Sequence, residues 1–121
     1  MADQILTFEK NNIQLNAHRM GRDLIVTLSG GQTHIGAVAL GYCYDKQNRK
    51  SNASVIALPG HKEDVLIFPL ARRLSKSLGI SVCVIAGIHF DHLTPDQIMD
   101  IVQTSESLAD ELITHLRKSN T

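Results

Sequence analysis

The stretch ASVIALPGHKEDVLIFPLARRLSKSLGISVCVIAGI, residues 53–88, decides the fold. Its two ends, residues 53–58 and 80–88, are short runs of aliphatic and β-branched residues, which is typical of buried strands. Between them, apolar residues recur at spacings of three and four, which predicts an amphipathic helix that begins near Glu63 and ends at Gly79. The stretch is therefore predicted to be a strand, a helix and a second strand.

Pro69 conflicts with an uninterrupted helix, because proline removes a backbone donor and kinks the preceding turn. The regular helix then begins either near Glu63 or only at Pro69. The acidic residues Glu63 and Asp64 suit the positive first turn of a helix, so the earlier start is favoured.

The residues before this stretch predict a series of strands. They cover residues 4–9, 13–17, 23–29 and 34–44, followed by a polar hairpin loop at 45–52. Apolar and polar residues alternate in the second of these strands, and the fourth is long and apolar enough for an interior position. Gly30 and Gly31 are expected to end the third strand.

The last helix has the clearest signal. Thr94 and Gln97 fit a capping box, Pro95 suits the first helical position, and apolar residues form one face over residues 98–116. The whole chain, residues 1–121, is therefore predicted to be one α/β domain. Its architecture is a two-layer sandwich, with a mixed, mostly antiparallel sheet and two helices on one face.

The composition argues against several classes of partner. Lysine plus arginine balance aspartate plus glutamate at 12 each, so the basic excess of nucleic-acid-binding domains is missing. No apolar run approaches the roughly 20 residues that cross a bilayer, so no membrane contact is expected, and no signal peptide is visible. Cys43 and Cys83 lie in apolar runs and are expected to be buried, unreactive thiols. We therefore expect a cytoplasmic protein.

The strand–helix–strand unit brings several loops to one edge of the sheet. If strands 53–58 and 80–88 share a sheet, they run parallel, so residues 60–62 and 89–92 follow them at the same edge. The strand 34–44 runs antiparallel to the first of these through the hairpin, so its beginning lies there too. Four of the six histidines are therefore predicted to converge: His34, His61, His89 and His92.

This edge suits a phosphate or carboxylate ligand, because the N-termini of both helices point to it. Gly60, His61 and Lys62 would supply amides and a cation, although the same residues also fit an ordinary strand-to-helix turn. Glu63 and Asp64 would repel a bare phosphate at short range, and are alternatively partners of the helix dipole or ligands of a bridging cation.

Histidines and carboxylates at this edge also allow a divalent metal site. His34, His61 and Asp64 are the predicted ligands for Zn²⁺ or Mn²⁺, although neither an HExxH nor a His-x-His motif is present. The corresponding alternative function is a small metal-dependent enzyme that acts on a phosphate or carboxylate substrate through His34, His61 and Asp91. Gly36 would give room for a flat ring, or only for a crossing strand.

Three motifs together resemble a known family. Residues 30–40 (GGQTHIGAVAL), 59–64 (PGHKED) and 86–94 (AGIHFDHLT) are similar to the LpdD-like accessory proteins. These small proteins are found beside UbiD-type decarboxylases of hydroxyarylic acids. The likeness extends from about Ile13 to the C-terminal helix.

The resemblance implies a non-catalytic chaperone that binds prenylated FMN, or FMN, and supports maturation of a UbiD-type decarboxylase. It implies a flavin prenyltransferase as a further partner. The cofactor-binding residues that it predicts are Gly30, Gly31, Thr33, His34, Gly36, Gly60, His61, Lys62, His89, Phe90, Asp91 and His92.

The second face of the sheet needs a cover of its own. Two helices cover one face, whereas strand 34–44 is apolar on both. Tyr42 and Tyr44 would then either lie in a dimer contact or cover the second face themselves, and a homodimer is the expected solution. A third alternative function is a structural subunit of a decarboxylase complex that binds no small molecule.

Overall fold

The fold is given by a computed structural model that describes residues 5–58 and 63–119, without the side chains of Asp64 and Ser119. The elements in chain order are β1 (Ile5–Lys10), β2 (Ile13–Met20), β3 (Asp23–Gly31), β4 (Ala37–Asp45), β5 (Lys50–Ala57), α1 (Asp64–Leu78), β6 (Val82–His89) and α2 (Pro95–Ser119). The predicted loop residues 59–62 lie outside the described residues.

The strands form one sheet of six, in the order β1-β2-β3-β6-β4-β5. The β3–β6 pair is parallel, and the pairs β1–β2, β2–β3, β4–β5 and β4–β6 are antiparallel. Because β4 lies between them and is antiparallel to both, β5 and β6 run in the same direction. The strand–helix–strand unit was therefore predicted correctly, and β4 fills the gap between its two strands.

Both helices pack on one face of the sheet. Helix α1 contacts β4, β5 and β6, whereas α2 contacts β1, β2 and α1. Every second residue of the inner strands points into this layer, and the buried core joins Leu15, Val26 and Val84 of the sheet to Leu70 and Leu112 of the helices. The predicted α/β class, with a mixed and mostly antiparallel sheet under two helices, is confirmed.

The helix boundaries follow the predicted end signals. Helix α1 runs through Pro69, with Glu63 as its N-cap, so the earlier of the two starts is correct. It ends where Gly79 adopts a left-handed φ of 67° and donates its N–H to the Ser75 carbonyl. At the start of α2, the Gln97 amide donates to Thr94 Oγ1 at 3.2 Å, and the Thr94 amide donates to Gln97 Oε1 at 2.8 Å. This is the predicted capping box.

Several predicted strand limits were wrong, and three of them matter for the arrangement of this sheet. Strand β3 does not stop before Gly30 and Gly31 but includes them, because they pair with Ile88 and His89 of the parallel neighbour β6. Strand β4 begins at Ala37 rather than at residue 34, so the residues before it form a loop. Strand β5 begins at Lys50, inside the predicted hairpin loop.

Candidate functional site

One edge of the sheet collects the loops that the sequence predicts to converge. The C-terminal ends of β3, β5 and β6 meet there, together with the beginnings of β2 and β4. Both helices begin at this edge, since α1 follows β5 and α2 follows β6. The register places Gly31 opposite His89 and Ile13 opposite Gly30, so the turn between β1 and β2 also reaches the edge.

His34 and Glu63 lie in polar contact at this edge. The His34 Nδ1 atom lies 3.0 Å from the Gln32 carbonyl oxygen, and its Nε2 atom lies 3.5 Å from Glu63 Oε1. Because a carbonyl only accepts hydrogen bonds, Nδ1 carries a proton and donates it. Glu63 has only 11% of its side chain exposed, so its carboxylate is largely shielded from solvent. A second proton on Nε2 turns this contact into an ion pair.

His89 extends this contact into a row of four titratable side chains. Its ring centroid lies 6.2 Å from that of His34, with an interplanar angle of 74°. Its Nε2 atom lies 3.2 Å from Asp91 Oδ1. Each of the two imidazoles therefore has a carboxylate of its own, and the order along the edge is Glu63, His34, His89 and Asp91. We call these four residues the histidine row.

Two glycines allow the chain to fold closely over its own edge. A Cβ atom on Gly36 would overlap the Glu63 carboxylate, and one on Gly87 would overlap the His34 backbone carbonyl. The Gly36 amide donates to the Ala86 carbonyl at 2.8 Å, which holds the loop before β4 against the end of β6. These glycines therefore position His34 and Glu63.

The remaining predicted residues are placed differently. Gly30 is buried, and the space beside its Cα is filled by Ile13 and Phe90. The exposed residues are Gly31, Thr33, Asp91 and His92. Gly60, His61 and Lys62 lie outside the described residues.

The predicted metal site is described only in part. Of His34, His61 and Asp64, only the His34 side chain belongs to the described residues. Within residues 5–58 and 63–119, no group of three histidine, cysteine, aspartate or glutamate side chains could hold a metal ion. The histidine row is therefore arranged as two imidazole–carboxylate pairs, and a metal at this edge stays a prediction about residues 61 and 64.

A cavity that the sequence did not predict lies beside the histidine row. It measures about 610 Å³ and lies between the β1–β2 turn, the loop after β6 and the first turns of α2. The lining residues are Lys10, Asn11, Asn12, Phe90, Leu93, Gln97, Asp100, Ile101, Gln103, Thr104 and Ser107. The one signal in the sequence is the pair Asn11 and Asn12, which have left-handed φ angles of 52° and 66° and make the tight turn.

An arginine on α1 and the two cysteines lie away from this edge. Arg73 joins α1 to α2 through ion pairs with Glu106 and Asp110, so this cation is used within the chain. Cys43 and Cys83 are free thiols, but they are only half-buried rather than buried. Burial raises the pKa of the Cys83 thiol, in line with the expected low reactivity.

A comparison with protein-family models shows to which family the chain belongs. The model described as "Prenylated flavin chaperone LpdD-like domain" matches residues 7–117. The chain belongs to the LpdD-like family. The LpdD-like match begins inside β1, earlier than the Ile13 suggested by the sequence motifs, and it includes both the histidine row and the cavity. No curated protein matches this LpdD-like chain.

A solved structure shares the fold of this LpdD-like domain. It is titled "Crystal Structure of a Novel Chaperone Complex for Yeast 20S Proteasome Assembly", and it is similar with a TM-score of 0.60 at 15% identity. The similarity covers 95% of this chain and 97% of the other. At this identity the likeness shows a common fold. Among the described residues, neither helix has the length and apolarity that a membrane crossing requires.

Proposed function

We propose that the chain is a non-catalytic chaperone that binds prenylated FMN, or FMN, and hands it to a UbiD-type decarboxylase. The observation that carries this proposal is the LpdD-like family match over residues 7–117. The histidine row supports the location, because it lies at the carboxyl edge of an α/β sheet where ligands commonly bind. The chemistry then belongs to the cofactor and the recipient enzyme.

The histidine row suits a ligand that must be held and then released. Once protonated, His89 can donate a hydrogen bond to an anionic group from Nδ1, and His34 can donate one from Nε2 in place of its contact with Glu63. Lys62 and the amides of residues 60–62 are further predicted donors. The carboxylates of Glu63 and Asp91 lie beside these imidazoles and would offset the positive charge of a protonated ring. This partial compensation lowers the affinity for phosphate below that of an uncompensated cationic site, which favours transfer.

Anaerobic titration with FMN and prenylated FMN tests binding at this edge. We expect His34→Ala and His89→Ala each to weaken binding about tenfold, as expected for the loss of a charge-assisted hydrogen bond. The matched control is His115→Ala. His115 is exposed near the C-terminal end of α2, where its ring contacts Phe8 of β1. Lys62→Ala should also weaken binding, with Lys76→Ala in the last turn of α1 as its control. A wild-type chain that binds neither flavin would refute the proposed function.

Delivery to a decarboxylase needs a separate test. The chain loaded with prenylated FMN should activate a UbiD-type apo-decarboxylase faster than the same concentration of free cofactor. We expect no such gain from the double variant that carries both His34→Ala and His89→Ala. Both cysteines are free thiols, which fits transfer in a reducing compartment such as the cytoplasm. Equal activation rates with and without the chain would contradict a delivery role.

We also propose that the chain forms a homodimer through the sheet face that the helices leave open. On this face, two rows of residues run in register across β3, β6, β4 and β5: Ile25–Cys83–Leu40–Ser54 and Thr27–Ile85–Val38–Ile56. Neither row carries a charge, and Leu40 and Ile56 are 49% and 75% exposed. Such a face is self-complementary, because an uncharged apolar surface packs well against its own copy.

Light scattering and sedimentation equilibrium test the dimer. We expect the wild-type chain to have twice the monomer mass and Leu40→Asp to be monomeric, because a carboxylate at this position would be buried unpaired. Ile98→Asp is the matched control, since Ile98 is 51% exposed but lies on α2 rather than on the open sheet face. A monomeric wild-type chain at tens of micromolar would rule out this interface.

A further inference from the structure

The cavity and the histidine row lie at the same edge of the sheet and meet at consecutive residues of the chain. The Phe90 ring contacts the position where Gly30 would carry a Cβ atom, and it also lines the cavity. His89, the preceding residue, belongs to the histidine row. The cavity and the histidine row are therefore neighbouring features of the same edge.

The walls of the cavity are fixed by contacts within the chain. Asn11 Nδ2 donates to Thr104 Oγ1 at 3.1 Å, and Lys10 Nζ donates to Ser107 Oγ at 2.9 Å. These two bonds tie the β1–β2 turn to α2 across a separation of more than 90 residues in sequence. A cavity with such walls is preformed, so a ligand loses little affinity to ordering the protein.

The lining residues suit an uncharged, planar ring that carries polar groups along one edge. Phe90, Leu93 and Ile101 supply apolar surface, while Asn12 and Gln103 supply carboxamide groups. The ionic side chains of the lining are Lys10 and Asp100, which have opposite sign. Because these charges balance, the cavity has no preference for a phosphate. Carboxamides pair well with the alternating carbonyl and N–H groups of a pyrimidinedione edge.

We propose that this cavity holds the ring system of the flavin, while the rest of the cofactor extends to the histidine row. The proposal rests on the flavin-binding function proposed above and assigns the ring to a defined subsite. The apolar residues would face the dimethylbenzene and prenyl-derived parts of the ring, and the carboxamides would face the pyrimidinedione. The cavity volume of about 610 Å³ lies within the range that small-molecule sites usually have.

Methyl NMR on the wild-type chain tests this assignment without any substitution. An aromatic ring in the cavity should shift the methyl signals of Leu93 and Ile101 when FMN is added. The reference signals are Ile56 on the open sheet face and Ile113 in the helical layer, and both should stay in place. Riboflavin has the ring but no phosphate, and it should shift the same two cavity residues. FMN binding without shifts at Leu93 and Ile101 overturns the ring assignment and leaves the flavin-binding function standing.

Substitutions on α2 give a second, independent measurement. Gln103→Ala should weaken the binding of both FMN and riboflavin by about fivefold, through the loss of one hydrogen bond. Glu111→Ala is the control, because Glu111 is exposed on the same helix and does not line the cavity. Ile101→Trp should fill the cavity and lower FMN affinity at least tenfold, whereas Ile98→Trp should not. Equal FMN affinities for Ile101→Trp and Ile98→Trp would overturn the assignment, and a wild-type chain without any flavin affinity would overturn the proposed function itself.

Discussion

Gly87→Ala is the substitution that most directly tests how the histidine row is held. Gly87 lies in β6 opposite Ser29, and an added Cβ would overlap the His34 backbone carbonyl. An ordinary carbon–oxygen contact needs about 3.3 Å, so the loop before β4 would have to move by roughly 2 Å. That movement breaks the hydrogen bond from the Gly36 amide to the Ala86 carbonyl and strains the one from Leu58 to Gly36.

The expected cost follows from these two backbone hydrogen bonds. At about 1 kcal/mol each, with an added penalty for a buried group left unpaired, Gly87→Ala should lower the free energy of unfolding by about 2–4 kcal/mol. Urea unfolding followed by circular dichroism measures this change. Flavin titration of the folded variant should show weakened binding, because His34 is displaced from His89.

The matched control is Gly21→Ala in the turn between β2 and β3. Gly21 has a φ of 60°, and nothing lies within 4 Å of the position where its Cβ would be. This control therefore adds the same methyl group and should cost only the left-handed backbone penalty, about 1 kcal/mol. If Gly87→Ala were no more destabilising than Gly21→Ala and bound flavin normally, the contact between β6 and the His34 loop would not hold the site.

Three further predictions concern stability and reactivity elsewhere in the chain. Arg73→Ala should lower the free energy of unfolding by about 0.5–1 kcal/mol by removing the ion pairs with Glu106 and Asp110, and urea melts at high salt should show a smaller difference. Thr94→Ala should cost about 1 kcal/mol in the same assay, because the N-cap acceptor of α2 is lost, whereas Thr94→Ser should restore it. Because burial raises the pKa of the Cys83 thiol, less thiolate is present at pH 8, and Cys83 should react with a disulfide reagent more slowly than glutathione. A rate equal to that of glutathione would contradict this expectation.

The convergence of loops at this edge could be predicted from the sequence, because the signals on which it depends are local. The capping residue Thr94 and the terminal Gly79 fix the helix limits, and the parallel strands on either side of α1 then bring their ends together. The neighbour of β3 could not be inferred, because parallel pairing with β6 joins residues almost 60 positions apart. That pairing keeps Gly30 and Gly31 in the strand, against their local preference for a turn.

The cavity was missed for a related reason. Its two walls are the turn at Asn11 and the first turns of α2, which are separated by more than 90 residues. Each wall alone has an ordinary explanation, since asparagine favours tight turns and Gln103 is an exposed helical residue. The hydrogen bonds from Asn11 to Thr104 and from Lys10 to Ser107 reveal that the two walls face each other. Sequence patterns of short range contain no information about such a contact.

The glycines at this edge have a different role in the fold from the one that the sequence suggests. From sequence, a glycine near a candidate site suggests room for a ligand, as for Gly36. In the fold, the space beside Gly36 is taken by Glu63, that beside Gly87 by His34, and that beside Gly30 by Phe90. Each glycine therefore leaves room for another residue of the chain, and these residues are Glu63, His34 and Phe90. Substitutions at the glycines should therefore act on a ligand indirectly, through displaced His34, Glu63 or Phe90, and should change stability and binding together. Substitutions of the histidines themselves should change binding with little change in stability.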